Sequence, residues 1–237
     1  QATAVKSLIN VTRENKFSVS LIDGVTGSGK TEVYFEVIAE VLKKGLQVLI
    51  LVPEIALARP FIERFSKRFG AAPVEWHSEL PTKKRRRIWR AILEGEVNVL
   101  VGARSALFLP FRNLGLLVVD EEHESAFKQM EGPRYHARDM SILRAKCSDI
   151  PIILASATPS LETLHNSETG RFRKVSLSQR YGEASLPKVV LIDIRSNENR
   201  NGSWISPVLQ KAIHETIERK EQVLLFLNRR GYAPLNI

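Results

Sequence analysis

The fold class this sequence predicts is α/β, with a parallel sheet flanked by helices, and three features predict it. Short runs rich in Val, Ile and Leu alternate with longer stretches of helical apolar spacing. The short runs are apolar throughout rather than at every second residue, as expected of strands covered on both faces. A glycine-rich turn joins the first run directly to the first helical stretch.

The elements follow in order. Strands are expected at 17–22, 47–52, 97–101, 116–119 and 152–155, each bounded by Gly, Pro or charge. Helices are expected at 31–43, 56–69, 82–94 and 137–146. Pro110 makes 108–114 a loop, because proline breaks a helix interior. Beyond Gly170 come strand-like runs at 173–177, 189–194 and 222–227, a polar loop at 196–203, and a helix at 207–220. That helix opens after Ser206 with Pro207 at its first position, where proline is tolerated. The expected organisation is a first lobe at 1–178, a linker at 179–187 and the start of a second α/β lobe at 188–237. About one βαβ unit is too little to close a core, so the second lobe reads as truncated.

Composition narrows the function classes. Hydrophobic residues make up 43% and charged residues 26%, enough to bury a sizeable core. No apolar run approaches the ~18 residues of a membrane span, and the basic stretch 1–16 lacks a signal-peptide core, so a cytoplasmic protein with no membrane partner is expected. The single cysteine, Cys147, can form neither an internal disulfide nor, alone, a zinc site. Lys plus Arg outnumber Asp plus Glu by 35 to 26, which favours a polyanionic partner such as nucleic acid.

The strongest motif is GVTGSGKT (24–31), a G-x-x-x-x-G-K-[ST] sequence placed after a strand and before a helix. Gly24, Gly27, Ser28 and Gly29 turn backbone N–H groups toward phosphate oxygens, and the helix N-terminus adds its positive dipole end. Lys30 then reaches the β- and γ-phosphates of ATP, and the Thr31 hydroxyl is placed to ligate Mg²⁺. The apolar run 116–119 ends in Asp120, Glu121, Glu122 and His123. Asp-Glu-Glu alone is a common surface cluster. With a P-loop about 90 residues upstream it reads as the second half of the site, Asp120 holding the Mg²⁺ shell and Glu121 acting on water.

These motifs define a P-loop ATPase and leave its task open. DEEH (120–123) resembles the DExH box of superfamily 2 helicases. GVTGSGKTEVY (24–34), LVPEIAL (51–57), VGARSALF (101–108), RYHARD (134–139), LASATPS (154–160) and LFLNRRGYAP (225–234) are similar, in order and spacing, to motifs of the PriA family of replication-restart helicases. The resemblance implies a RecA-like lobe of a two-lobed motor that hydrolyses ATP and moves 3′ to 5′ on DNA. It implies single-stranded DNA and forks as substrates, and single-stranded-DNA-binding protein and other primosome proteins as partners. It implies zinc-binding cysteines and a γ-phosphate-contacting arginine only in sequence beyond this chain.

Carried over by residue, Ser156 and Thr158 match the S-A-T motif that couples hydrolysis to lobe movement, with His123 in the same role. Their hydroxyls are expected to bond to Asp120 or Glu121; the other reading is a cap for a helix starting at Pro159. Lys128, Arg134, Tyr135 and His136 match an aromatic-rich DNA-sensing loop, with cations for phosphates and rings for bases. Arg104 and Ser105 match a DNA-backbone segment, although Arg104 also reads as a salt-bridged surface residue. Gln1 matches the adenine-recognising glutamine that precedes the P-loop. The basic run 83–87 reads as the solvated face of a helix whose Ile88, Trp89 and Ile92 pack inward. The rival readings are a translocase of another superfamily 2 branch, or a DNA-binding module without activity of its own.

Overall fold

The computed structural model describes residues 1–14, 16–53, 59–180, 188–193 and 205–226. The chain divides into two units, Gln1–Ala184 and Ser185–Ile237. The first unit is built on a seven-stranded sheet. Its strands are β1 Ser18–Gly24, β2 Gln47–Leu51, β3 Val74–Trp76, β4 Val99–Gly102, β5 Leu114–Asp120, β8 Pro151–Ser156 and β9 Arg173–Leu177. They lie in the order β3-β4-β2-β5-β8-β1-β9, and all six pairings are parallel. The expected α/β class with a parallel, RecA-like sheet is therefore what the chain adopts. β2 and β8 are buried at every position, which is why their sequences do not alternate.

One face of the sheet is covered by α1 Ala2–Arg13, α2 Lys30–Lys43 and α3 Arg59–Phe69, which meet Ile22, Ile50, Val118 and Ile153 in one core layer. The ring of Phe35 in α2 contacts Phe61, Phe65 and Phe69 of α3 edge-on, with centroids 5.5–5.6 Å apart. This aromatic cluster fixes α3 against the helix that follows the P-loop. The opposite layer holds α4 Thr82–Glu94 and α5 Ala137–Cys147 against Leu49, Leu100, Leu117 and Leu154. Helix α6 Leu161–Glu168 starts after Ser160, whose hydroxyl accepts from the Thr163 amide.

Several elements differ from expectation. The stretch 1–16 contains α1, which buries Ala4, Leu8 and Val11 on one stripe. The three-residue β3 was not expected. The expected loop at 128–136 is a β-hairpin, β6 Lys128–Gln129 paired antiparallel with β7 Tyr135–His136. Trp89 does not pack inward: Ile88 and Ile92 are buried, but the indole is 44% exposed.

In the second unit, α7 Pro207–Glu218 opens as expected, with the Ser206 hydroxyl accepting from the Leu209 amide at 3.2 Å. The described parts of the runs expected at 189–194 and 222–227 are not strands. The loop at 196–203 lies outside the described residues, as do 54–57 of LVPEIAL and 227–234 of LFLNRRGYAP.

Candidate nucleotide and DNA site

In a parallel sheet every strand delivers its last residue to the same edge. At that edge β1 ends in Gly24, β5 in Asp120 and β8 in Ser156. The loop after Gly24 is closed by Ser28 N–H donating to the Val25 carbonyl at 3.0 Å, with Gly27 and Gly29 at φ 79° and 84°. Only glycine adopts such angles without strain, so the loop leads into α2 with no side-chain cap. The first-turn N–H groups of α2 have no carbonyl one turn earlier in the helix, which is the arrangement that receives anions.

Lys30, 8% exposed, donates from Nζ to the Gly24 carbonyl at 2.8 Å. Asp120 Oδ2 accepts from the Tyr34 hydroxyl at 2.8 Å, and Oδ1 from the Glu121 amide at 3.1 Å. Burial raises the Asp120 pKa; the Tyr34 and Glu121 hydrogen bonds and the charge of Lys30 oppose that rise. Burial, then Asp120, pushes the Tyr34 phenol well above its ordinary range, so it stays a donor. Glu121 adopts φ 49°, a left-handed conformation that costs a β-carbon-bearing residue energy. Burial first, then the Asp120 charge, raises the Glu121 pKa.

A cavity of about 640 Å³ brings Gln1, Gly27, Ser28, Gly29, Lys30, Thr31, Asp120 and Glu121 together. Gln1 Nε2 donates to the Ser28 carbonyl at 2.8 Å, and a Cβ on Gly29 would overlap it. Arg64 of α3 also lines the cavity, paired with Glu32 at 2.7 Å. Motif spacing gave no sign of Arg64, because only the packing of α3 on α2 brings it there. The role of Tyr34 was missed too, although that residue closes the GVTGSGKTEVY motif.

The hydroxyl of Ser156 meets His123 Nδ1 at 2.7 Å and accepts from the Thr158 amide at 3.0 Å. Its expected partners were Asp120 or Glu121; β8 places it one residue beyond the strand pairing with Asp120, beside the histidine instead. The helix cap is Ser160, and neither Ser156 nor Thr158 serves as one.

Glu122, which sequence reasoning left without a role, is completely buried. Its carboxylate accepts from Arg138 at 3.1 Å, from the Ser160 amide and hydroxyl at 2.8 and 3.2 Å, and from the Thr163 hydroxyl at 3.1 Å. The middle of the DExH box is thereby tied to the starts of α5 and α6. The second Glu of DEEH and the second Arg of RYHARD were the available signals.

The expected DNA residues form one neighbourhood. Arg104 makes no salt bridge among the described residues; it donates to the Lys128 carbonyl at 2.7 Å, joining its 3-10 turn, Arg104–Phe108, to the hairpin. Phe108 and Tyr135 meet edge-on at 5.3 Å. Ser105 Oγ accepts from the Trp76 indole at 3.2 Å. Lys128 and Arg134 are exposed. His136 differs from them: burial, then Arg138, lowers its pKa, and its Nδ1 is buried without a partner among the described residues. A neutral imidazole is a poor phosphate cation.

A sequence model of the family described as DEAD/DEAH box helicase matches residues 1–167. The replication restart protein PriA of Rickettsia felis is 50% identical over 216 residues, which make up 91% of this chain and 33% of that protein. The protein of the same name from Bacillus subtilis (strain 168) is 44% identical over 234 residues, 98% of this chain and 29% of that protein. The chain thus spans about a third of the length of the curated relatives it matches. Among solved structures, the DUF1998 helicase MrfA superposes with a TM-score of 0.60 at 20% identity, over 95% of this chain and 36% of that one. MrfA bound to DNA and AMPPNP gives 0.53 at 19% identity, over 75% and 27%. At these identities the structural likeness is one of fold. The match to residues 1–167 takes in both phosphate-site motifs, and the chain belongs to the DEAD/DEAH box helicase family, with PriA replication restart proteins among its relatives.

Proposed function

We propose that this chain is the ATP-binding part of a DNA helicase that moves 3′ to 5′ and acts in replication restart and primosome assembly at stalled forks. The observation that carries the reading is the convergence of Lys30, Thr31, Asp120 and Glu121 on one cavity at the carboxyl edge of the sheet. In this reading Gly24, Gly27, Ser28, Gly29 and Lys30 bind the phosphates, and Gln1 reads the adenine. Among the described residues no three His, Cys, Asp or Glu side chains could cage a metal. Mg²⁺ held mainly by phosphate and water oxygens needs no such cage, only one or two protein oxygens, which Thr31 and Asp120 would supply. When bound, it would neutralise charge on the β- and γ-phosphates. Glu121 orients or deprotonates the attacking water, and its raised pKa makes it a better base than an ordinary carboxylate.

His123, Ser156 and Thr158 form the coupling element, since one hydroxyl links the DExH box to the segment after β8. Arg104, Ser105, Lys128, Arg134 and Tyr135 contact DNA, with His136 shaping the hairpin base. The partners are single-stranded and forked DNA, single-stranded-DNA-binding protein and other primosome proteins, in the bacterial cytoplasm at the nucleoid. Among the described residues no cluster fits zinc, and the single cysteine of the sequence could not hold it alone.

The test of the site is calorimetry with Mg·ATP on this chain and on Lys30→Ala. Binding should be weakened at least tenfold by removing a charged phosphate contact, on the order of 1.5–3 kcal/mol. Equal affinities would remove the basis of the assignment.

A further inference from the structure

Helix α4 carries Lys83, Lys84, Arg85, Arg86, Arg87 and Arg90, a run the nucleotide site does not use. Among the described residues, the side chains of Lys83, Lys84, Arg86, Arg87 and Arg90 have no charged or hydrogen-bonding partner. A merely solvated basic face keeps its large aromatics inside, and this one does not. A groove of about 280 Å³ is lined by Trp76, Thr82, Arg85, Arg86, Trp89 and Arg90. Trp89 is 44% exposed there, and the Arg85 guanidinium lies over the Trp76 ring at 5.0 Å. Among the described residues, no acidic side chain lines the groove.

Its position adds a second argument. Trp76 ends β3, the edge strand beside β4, and its indole N–H bonds Ser105, which stands in the segment expected to hold a DNA backbone. The groove therefore continues that segment outward along the sheet edge. From Thr82 to Arg90 the helix rises about 12 Å, at 1.5 Å per residue. Arg86 and Arg90, four residues apart, are separated by a rise of about 6 Å, one above the other on the same helix face.

We propose that this groove of α4 is a further DNA contact, in which Arg86 and Arg90 bind consecutive phosphates and the exposed face of Trp89 stacks on a base or sugar of the same strand. A repeating polyanion with flat rings fits alternating cations and an indole, and single-strand binding uses that combination. The inference rests on the DNA-helicase reading above and deepens it.

The experiment is fluorescence anisotropy of the full-length protein with a labelled fork bearing a thymidine single-stranded arm, over a salt series. Arg86→Ala/Arg90→Ala should make the slope of log affinity against log salt shallower by about 1.4, or about 0.7 for each single-strand phosphate no longer neutralised. Trp89→Ala should weaken binding about fivefold or more, with Trp89→Phe largely restored. Nucleotide affinity should not change in any variant. Both arginines are exposed, so the double variant should keep the fold even if Trp89→Ala does not. Wild-type affinity and slope in the arginine variant would overturn the inference. So would DNA binding intact with loss of a glutamate-rich peptide probe, which would make the occupant an acidic protein segment. If Arg134→Ala weakens fork binding and the α4 variants do not, this inference alone fails; a wild-type protein that ignores the fork overturns both readings.

Discussion

At the scale of single residues, the chemistry turns on a carboxylate that burial makes harder to ionise. Asp120 has its pKa raised by desolvation, and the Tyr34 hydroxyl is the first of the groups opposing that rise. A carboxyl whose folded pKa exceeds its unfolded one stabilises the fold when protonated; that contribution is complete below the unfolded pKa and is lost as pH rises through the folded one. In the role proposed for Asp120, activity has the opposite sign, because holding Mg²⁺ would need the ionised form. In the full-length protein, Tyr34→Phe should therefore move the acid limb of the pH–rate profile for ATP hydrolysis to higher pH and raise the Mg²⁺ requirement. A purely structural tyrosine would lower turnover at every pH and leave the limb where it was. In the proposed role Glu121 acts on water and not on nucleotide, so Glu121→Gln should lower single-turnover hydrolysis about 10²-fold or more while ATP still binds. An unchanged single-turnover rate would sink that role. Lys30, Asp120 and Glu121 were legible from motif spacing alone, because a P-loop needs them as near neighbours of glycines and a strand end. Tyr34 and Arg64 were not, since their approach to the site depends on how α2 and α3 pack.

At the scale of elements, Glu122 and Arg138 connect the segment after β5 to the starts of α5 and α6. Both are buried, and Arg138 also donates to Asp139 at 2.8 Å and to Ser160. Removing one partner of such a pair leaves a buried charge unmatched, at a cost of about 3–5 kcal/mol. Arg138→Ala should thus lower the melting temperature of this chain by on the order of 10 °C. Glu122→Leu/Arg138→Met should recover much of that loss, since apolar side chains leave no unmatched charge; equal melting temperatures for wild type and Arg138→Ala would show the pair to be idle. The hairpin itself should report DNA to the site: Arg134→Ala should lower DNA-stimulated hydrolysis more than basal hydrolysis, and a parallel fall in both would make the hairpin a support and not a sensor. Long apolar strands and helices were legible because burial on both faces imposes long unbroken runs. β3, β6 and β7 span only two or three residues, too few for any period to register, and tertiary pairing alone creates them. Helix α1 was readable in principle from Ala4, Leu8 and Val11 at helical spacing. Trp89 was misplaced because an indole beside two buried isoleucines looks like core, whereas 100° per residue turns it off their stripe.

At the scale of the whole molecule, the two units differ in what they bury. The first has two continuous core layers and the described residues that line the nucleotide cavity. Helix α7 of the second buries no residue, and its Val208 and Ile217 are exposed. Among the described residues, the cationic side chains lining the cavity are Lys30 and Arg64, and Arg64 is already paired with Glu32. Phosphoryl transfer in P-loop ATPases is accelerated by an arginine that meets the charge developing on the γ-phosphate, worth about 10³–10⁵ in rate. The helicase resemblance assigns that arginine to a second lobe. This chain should therefore bind Mg·ATP at its own cavity yet turn it over about 10³-fold more slowly than the full-length protein stimulated by DNA. The comparison is a steady-state assay of the two proteins at saturating ATP with a forked substrate. Comparable turnover would mean that the accelerating cation is already present in the first unit. Arg64 would then be the residue to remove, because α3 places it in the lining of the nucleotide cavity. Loss of that turnover in Arg64→Ala, with nucleotide affinity retained, would reassign the role to α3.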